Sequence, residues 1–456
     1  MAARPLTVVV GAGISGLACA YSLKLAGENV LLTEASSRSG GVIQTVAENG
    51  YLFELGPQSF TSNPSLDELC FRLGLAGEIL EAPHGAPRYV LIDGRLQNVP
   101  LSPPSFFTSG ILRWKTKVSI LKDLFGKTAP PAGDESISEF VRRKFTPELL
   151  EKLVGPFVSG IYAGDPERLS LRAAFPKIYQ AELRKGGVLR GAFRSTPGTS
   201  RDSEKQSMRR PGLLSFQGGN LALATALGKA LGDALRLHTT VSGIGRTAEG
   251  FLVTTAGPSG NSEILCKKLV LATPADATAG ILHSVAPLAA EALRKISYAP
   301  VAVVSLGYRS EQVGRSLEGF GFLVPRSARV RTLGTVWNSS LFPGRAPHGR
   351  VQLTSFVGGE TDREAASLSS DALAALVHRE IAPLLQITGI PEASRITNYL
   401  RGIPQYNLGH LDLLGSAASA LKAIPGLHAI GNYWNGPAVG ACVERAQAVA
   451  DEIRIG

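Results

Sequence analysis

The stretch VVVGAGISGLACAYSLKLAGENVLLTEASSRSGG, Val8 to Gly41, limits what this chain can fold into more than any other. The short β-branched run Leu6 to Val10 ends at Gly11-Ala12-Gly13-Ile14-Ser15-Gly16, after which small and apolar residues recur at helical spacing to Leu25. That is strand, tight turn, helix. Gly11 permits the turn, Gly13 lets backbone approach a pyrophosphate, and Gly16 lets helix and strand pack closely, with the phosphates at the helix N-terminus where amides and dipole favour anions. Asn29 to Thr33 reads as the second strand, with Glu34 at its end, 18 residues after Gly16. A carboxylate there accepts from ribose hydroxyls and repels a 2′-phosphate, so NADP is disfavoured while FAD and NAD both stay open. Past Glu34 and Ala35 the pattern runs into a second glycine pair, Arg38-Ser39-Gly40-Gly41 and then Val42, which brings more backbone toward the cofactor.

A chain of 456 residues exceeds one simple core, and two or three lobes are expected. Two later segments resemble parts of the same nucleotide-binding lobe. One holds SFQGGN (215–220), a helical pattern to Leu231, a strand near Arg236 to Thr240 and the apolar run Leu269 to Thr273. The other is a strand, Leu427 to Gly431, then a loop and a helix from Ala441 to Ile453. Between the opening stretch and SFQGGN, Leu112 to Phe125 and Ile137 to Val158 are helix-like. Strand-like runs at Val301 to Tyr308 and Val351 to Val357, with a helical pattern from Asp371 to Leu385, suit an α+β lobe.

The four cysteines, Cys19, Cys70, Cys266 and Cys442, stand far apart in apolar sequence, which predicts neither a disulfide framework nor a zinc site and fits a reducing cytoplasm. The first strand starts too early for a signal peptide, and the apolar window Leu269 to Leu293 is interrupted by Pro274, Asp276, His283 and Pro287, so it fails as a membrane span. Much of the net charge of +10 comes from Arg184 to Arg210, where eight Lys/Arg face only Asp202 and Glu204. That loop-like stretch lacks interleaved aromatics, so no nucleic-acid partner is expected.

Several longer stretches are more specific than any glycine loop: ELGPQSF (54–60), PFVSGIYAGDPERLS (156–170), EGFGFLVP (318–325), GIPQYNLGH (402–410) and GLHAIGNYWNGPAVGACVERA (426–446). With these the chain resembles the bacterial protoporphyrinogen/coproporphyrinogen oxidases of the flavin amine oxidase superfamily, over nearly its whole length. The resemblance implies an α/β fold: a discontinuous Rossmann-like FAD-binding domain (1–80, 212–275 and 403–456), an α+β substrate-binding domain (81–92, 191–211 and 276–402) and a helical, membrane-associating insertion (93–190). It implies non-covalent FAD lined by Gly56, Pro57, Gln58, Ser59, Val241, Asn432, Pro437, Ala438 and Val439, beside the residues of the opening stretch. It also implies a reduced tetrapyrrole whose propionate pairs with Arg88, whose ring packs on Leu323, Val336 and Phe356, and which lies close to backbone at Gly160, Ala163 and Gly164. Gln58 departs from the asparagine common in bacterial relatives, and NYWNGPAVGAC departs from the usual glycine-valine-glycine/alanine run before Asn-Asp-Cys.

The chemistry so implied is dehydrogenation, with flavin N5 as hydride acceptor, no catalytic side chain and no metal, in heme biosynthesis. Oxygen is the expected electron acceptor; an anionic membrane surface, a ferrochelatase or a second copy of the chain are the partners considered. The competing readings are an amine oxidase or carotenoid desaturase, an NAD-linked dehydrogenase, and a non-catalytic porphyrin-binding protein. His410 reads as a structural histidine, and Trp337 and Trp434 as packing residues. Pro100 to Gly126 combines Phe106, Phe107, Ile111, Leu112, Trp114, Val118, Ile120, Leu121, Leu124 and Phe125 with Arg113, Lys115, Lys117 and Lys122, the make-up of an interfacial anchor.

Overall fold

The computed structural model describes residues 6–100, 102–123, 125, 130–188, 212–258 and 260–455. Leu124 and most of the basic stretch between Arg184 and Arg210 lie outside the described residues.

Strands from all three expected segments build one parallel sheet, in the order Leu235–Arg236, Asn29–Thr33, Leu6–Val10, Lys268–Leu271, Leu427–Ala429. Its strands are apolar on both faces because both faces are covered. Val9, Leu32 and Val270 pack toward the helices Ile14–Leu25, Leu221–Leu231 and Val439–Ile455. Val8, Val10, Leu269 and Leu271 pack toward Ala275–Leu282, Pro287–Arg294 and His410–Lys422. The expected strand from Arg236 to Thr240 is not continuous. His238 takes φ 51°, its amide donates to the Ser36 carbonyl and that of Thr239 to Glu34, and Thr240–Thr247 then begins a separate antiparallel three-stranded sheet.

A seven-stranded sheet forms the second unit, in the order Ala393–Pro404, Tyr298–Arg309, Arg350–Gly358, Thr332–Val336, Gly321–Leu323, Arg88–Ile92, Arg95–Asn98. One face carries Ala302, Val304, Leu306, Phe322 and Val357 against the helix Ser370–Leu385. Two expected boundaries shift. Arg95–Asn98 belongs to this sheet and not to the helical insertion, because Asp93 (φ 49°) and Gly94 (φ 73°) make a tight hairpin turn back onto Arg88–Ile92. The helices between 275 and 294 bury Ala279, Leu282, Ala289 and Leu293 against the parallel sheet, so that unit extends to about the start of Tyr298–Arg309.

The helical insertion is more broken than its pattern implied. Trp114–Lys122 is the helix of the first run. In the second, Ile137–Lys144 ends at Phe145, Thr146 caps a new start at Pro147, Leu150–Val154 is a π-turn and Gly155–Tyr162 follows. Proline supplies no amide to an interior turn, so the chain restarts at Pro147, whereas the π-turn carries the helix on past Pro156 without a break.

Candidate cofactor and substrate site

The Gly11–Gly16 turn has the form its sequence requires. Gly11 takes φ +98°, and a Cβ on Gly16 would stand 1.8 Å from the Gly11 carbonyl oxygen, so that helix and loop close on each other only through glycine. Gly13 is different: a Cβ there would meet nothing within 4 Å. Its glycine serves no contact inside the protein, and the open backbone beside the helix Ile14–Leu25 leaves room for a phosphate. Ala12 is fully buried and Ser15 nearly so, while Ile14 packs at the edge of the core.

The second glycine pair is built onto the first loop. Gly40 donates to the Ala12 carbonyl (2.7 Å) and bridges Gly13, while Gly41 takes φ +58° and a Cβ on it would stand 3.2 Å from the Gly13 Cα. Arg38 Nη2 donates to the Gly41 carbonyl at 2.8 Å. Glu34 lies between the two turns: Oε2 accepts from the Ala12 amide (2.7 Å), and Oε1 from the amide (2.9 Å) and hydroxyl (2.8 Å) of Ser36. Ala35, Gly41 and Val42 are exposed beside it. Val241 is the second residue of the strand Thr240–Thr247, which follows the Thr239–Glu34 bond.

The GPQS segment closes against this group. A Cβ on Gly56 would lie 2.0 Å from the Val42 carbonyl. Pro57 and Ser59 line a small apolar pocket with Ile43, Phe60, Phe216, Asn220, Leu223 and Val439, so the last glycine-rich loop reaches the same place. In that loop Asn432 and Pro437 are half-buried and Ala438 exposed, directly before the helix Val439–Ile455. Gln58 is buried and spends its side chain on protein: Nε2 donates to the carbonyls of Glu54 (3.0 Å) and Gly56 (2.9 Å), and Oε1 accepts from Asn338 Nδ2 at 2.7 Å.

Beneath the segment is a buried ion pair that the motif reading missed. Glu54 accepts from Thr45 Oγ1 (2.7 Å) and the Asn220 amide (2.8 Å) and faces Arg345 at 3.4 Å, with both side chains inaccessible. Arg345 also donates to the Ser215 hydroxyl. Burial pushes the Glu54 carboxyl up, against the pull of Arg345 and the Asn220 amide. Its position one residue before Leu55-Gly56-Pro57 was the available signal; that it would be buried depended on Arg345, far away in sequence.

On the substrate side, Leu323 lies opposite Gly334, and Gly334 opposite Phe356, in the seven-stranded sheet; Val336 is two residues along on the same face. This is the face away from Ser370–Leu385, and Gly155–Tyr162 crosses it. A Cβ on Gly160 would stand 2.7 Å from Leu323 Cδ2, and one on Gly164 2.5 Å from Leu169 Cδ1 and 2.6 Å from Gln405 Oε1. A side chain at either glycine would have to push aside the end of a neighbouring one. Ala163 caps the helix at φ 46° and is buried with Ala299, Val301 and Leu333 against Phe356 and Ile403. Arg88 is exposed at the start of its strand, paired in register with Gly321, its guanidinium 5.6 Å from the Phe320 ring centre. His410 is buried, with Nε2 donating to the Tyr433 carbonyl at 2.9 Å, and burial pushes its imidazolium down, so it is a neutral structural residue.

Comparison with known proteins agrees with this geometry. Residues 14–454 match the family model described as flavin containing amine oxidoreductase. Protoporphyrinogen oxidase 1, chloroplastic, of Spinacia oleracea is 36% identical, over 98% of this chain and 83% of its own. The coproporphyrinogen III oxidase of Bacillus subtilis (strain 168) is 28% identical, over 98% of this chain and 97% of its own. A crystal structure from Exiguobacterium, provisionally assigned as a protoporphyrinogen oxidase, superposes with a TM-score of 0.83 at 25% identity, covering 100% of this chain and 99% of that one. By sequence and by fold, the chain belongs to the flavin-containing amine oxidoreductases, with FAD as its cofactor.

Proposed function

We propose that the protein is an FAD-dependent porphyrinogen oxidase, acting on protoporphyrinogen IX or coproporphyrinogen III and passing electrons to oxygen. The observation that carries this reading is the Gln58–Asn338 bond, which brings the GPQS loop against the end of the strand bearing Val336, on the apolar face shared with Leu323 and Phe356. A flat, apolar macrocycle is the kind of substrate that such a face suits, with Arg88 at its rim for a carboxylate. The bound flavin supplies two-electron acceptance. Gly11, Ala12, Gly13 and Ser15 hold its diphosphate in this reading, and Glu34 its ribose.

Dehydrogenation of a reduced tetrapyrrole gains aromaticity, so the side chains of the site bind, orient and exclude water rather than push the reaction. The test offers the purified protein both porphyrinogens, an amine and phytoene under nitrogen, following the flavin absorbance, and then admits oxygen. Bleaching by a porphyrinogen alone, with return of colour and peroxide in air, is the expected result; bleaching by the amine or phytoene overturns the substrate reading.

We also propose contact with an anionic membrane through the Phe107–Trp114 surface. Phe107, Trp114 and Phe125 are exposed, and Arg113, Lys115 and Lys122 lie among them. Lys117 does not take part: it is buried and donates to the carbonyls of Phe107 (2.8 Å) and Ser109 (2.6 Å). Among the described residues no helix is long and apolar enough to cross a membrane.

A further inference from the structure

We propose that Tyr406 is a positioning residue: its phenol fixes the last cofactor loop and its backbone neighbours fix the small-residue ledge, so that one side chain sets the two halves of the site against each other. The inference rests on the cofactor reading given above. Tyr406 is 1% exposed. Its hydroxyl donates to the Asn432 carbonyl and accepts from the Gly436 amide, each at 2.7 Å, and so spans the loop that leads into Val439–Ile455. Burial pushes the phenol far above its usual range, which keeps the donor protonated.

The other side of the same residue faces the ledge. Its ring lies 5.7 Å from that of Tyr162, and its carbonyl accepts from the Ser170 amide at 2.8 Å. Gln405, the preceding residue, donates from Nε2 to the Tyr162 carbonyl at 2.8 Å and holds Oε1 against Gly164. His410 packs on Tyr406 with ring centres 4.2 Å apart and planes tilted by 34°, and separately holds the Tyr433 carbonyl. PQYNLGH thus touches both Tyr162-Ala163-Gly164 and Asn432 to Gly436, which are 268 or more residues apart in the chain (432 − 164). A polar bond to a loop is retained inside a packed core at some cost, and its return here is the fixed height of that loop over the ledge.

Tyr406→Phe keeps both ring contacts and removes only the hydroxyl. Tyr308→Phe is the control, since it deletes an equally buried hydroxyl, bonded to His378 Nδ1 at 3.0 Å on the helix-covered face of the seven-stranded sheet, without touching the loop or the ledge. Apoprotein of each is titrated with FAD by flavin fluorescence, and amide exchange is followed in the segment 432–436. Loss of two hydrogen bonds predicts that Tyr406→Phe weakens FAD about five- to twentyfold and speeds exchange at Gly436. With FAD saturating, KM for the porphyrinogen should rise about threefold or more while kcat stays within about twofold, and Tyr308→Phe should change none of these. FAD affinity within twofold of wild type, or an equal loss in Tyr308→Phe, overturns the proposal. Wild-type apoprotein that takes up no FAD overturns the cofactor reading itself.

Discussion

Glycine is informative at single positions when the reason for it can be told apart, and Gly13 and Gly16 separate two reasons within four residues. A methyl at Gly16 meets backbone at 1.8 Å, whereas one at Gly13 meets no protein atom. Gly16→Ala should therefore cost about 1–3 kcal/mol through overpacking, read as a lower Tm of the apoprotein. Gly13→Ala should leave the apoprotein's Tm unchanged and yet abolish the flavin absorbance, because the space it fills is the ligand's. Equal Tm losses in the two variants would return Gly13 to ordinary packing. At Arg88 the expected change is kinetic: Arg88→Ala raises KM by about ten- to a hundredfold with kcat largely kept, and Arg88→Lys recovers part of it. A collapse of kcat at saturating substrate would give Arg88 a role in orienting the ring. Gly11, Gly16, Gly40 and Glu34 were legible because backbone conformation and chain order dictate them locally. Gln58, Glu54 and Arg345 were not, since their burial is decided by partners 100 to 300 positions away in the sequence.

Elements were legible where their periodicity was long and uninterrupted. Ser370–Leu385 and Val439–Ile455 both contain and slightly exceed the runs expected for them. The hairpin Arg88–Asn98 was missed although its Asp93-Gly94 turn is a strong local signal, and the error moved a strand into the helical insertion. Inside that insertion the helices are held together by charge. Glu182, with no exposed side-chain surface, accepts from Arg143 (2.9 Å) and Lys144 (3.1 Å), and Arg143 also pairs with Glu135 at 2.6 Å. Burial pushes the Glu182 carboxyl up, but Arg143 and Lys144 pull it net below its usual 4.5. A depressed carboxylate stabilises the fold above its unfolded pKa and loses that contribution as pH falls through the folded value. Hydrogen exchange of peptides from 137–185 should accordingly quicken below about pH 4.5, ahead of the parallel sheet; simultaneous loss of both would deny the cluster a separate role.

At the scale of the whole molecule the exposed aromatic and basic surface around Trp114 makes a prediction about location. Sedimentation with vesicles containing anionic lipid should exceed that with neutral vesicles, salt should reduce it, and the fluorescence of Trp114 should shift to the blue. Equal sedimentation with both vesicle types, without a spectral shift, removes the membrane proposal. The order of strands in the parallel sheet has a different kind of consequence. Leu6–Val10 is flanked by Asn29–Thr33, made almost at once, and by Lys268–Leu271, whose other neighbour is Leu427–Ala429. A ribosome adding about 5–20 residues per second needs tens of seconds to pass from the first of these strands to the last. Throughout that interval the glycine loop exists without the loop that ends at Val439, so the expectation is that newly made chains stay cofactor-free, with apolar strand edges open to chaperones. Stalled chains ending before Leu427 should bind chaperone and retain no flavin, while release of the complete chain should let both change together.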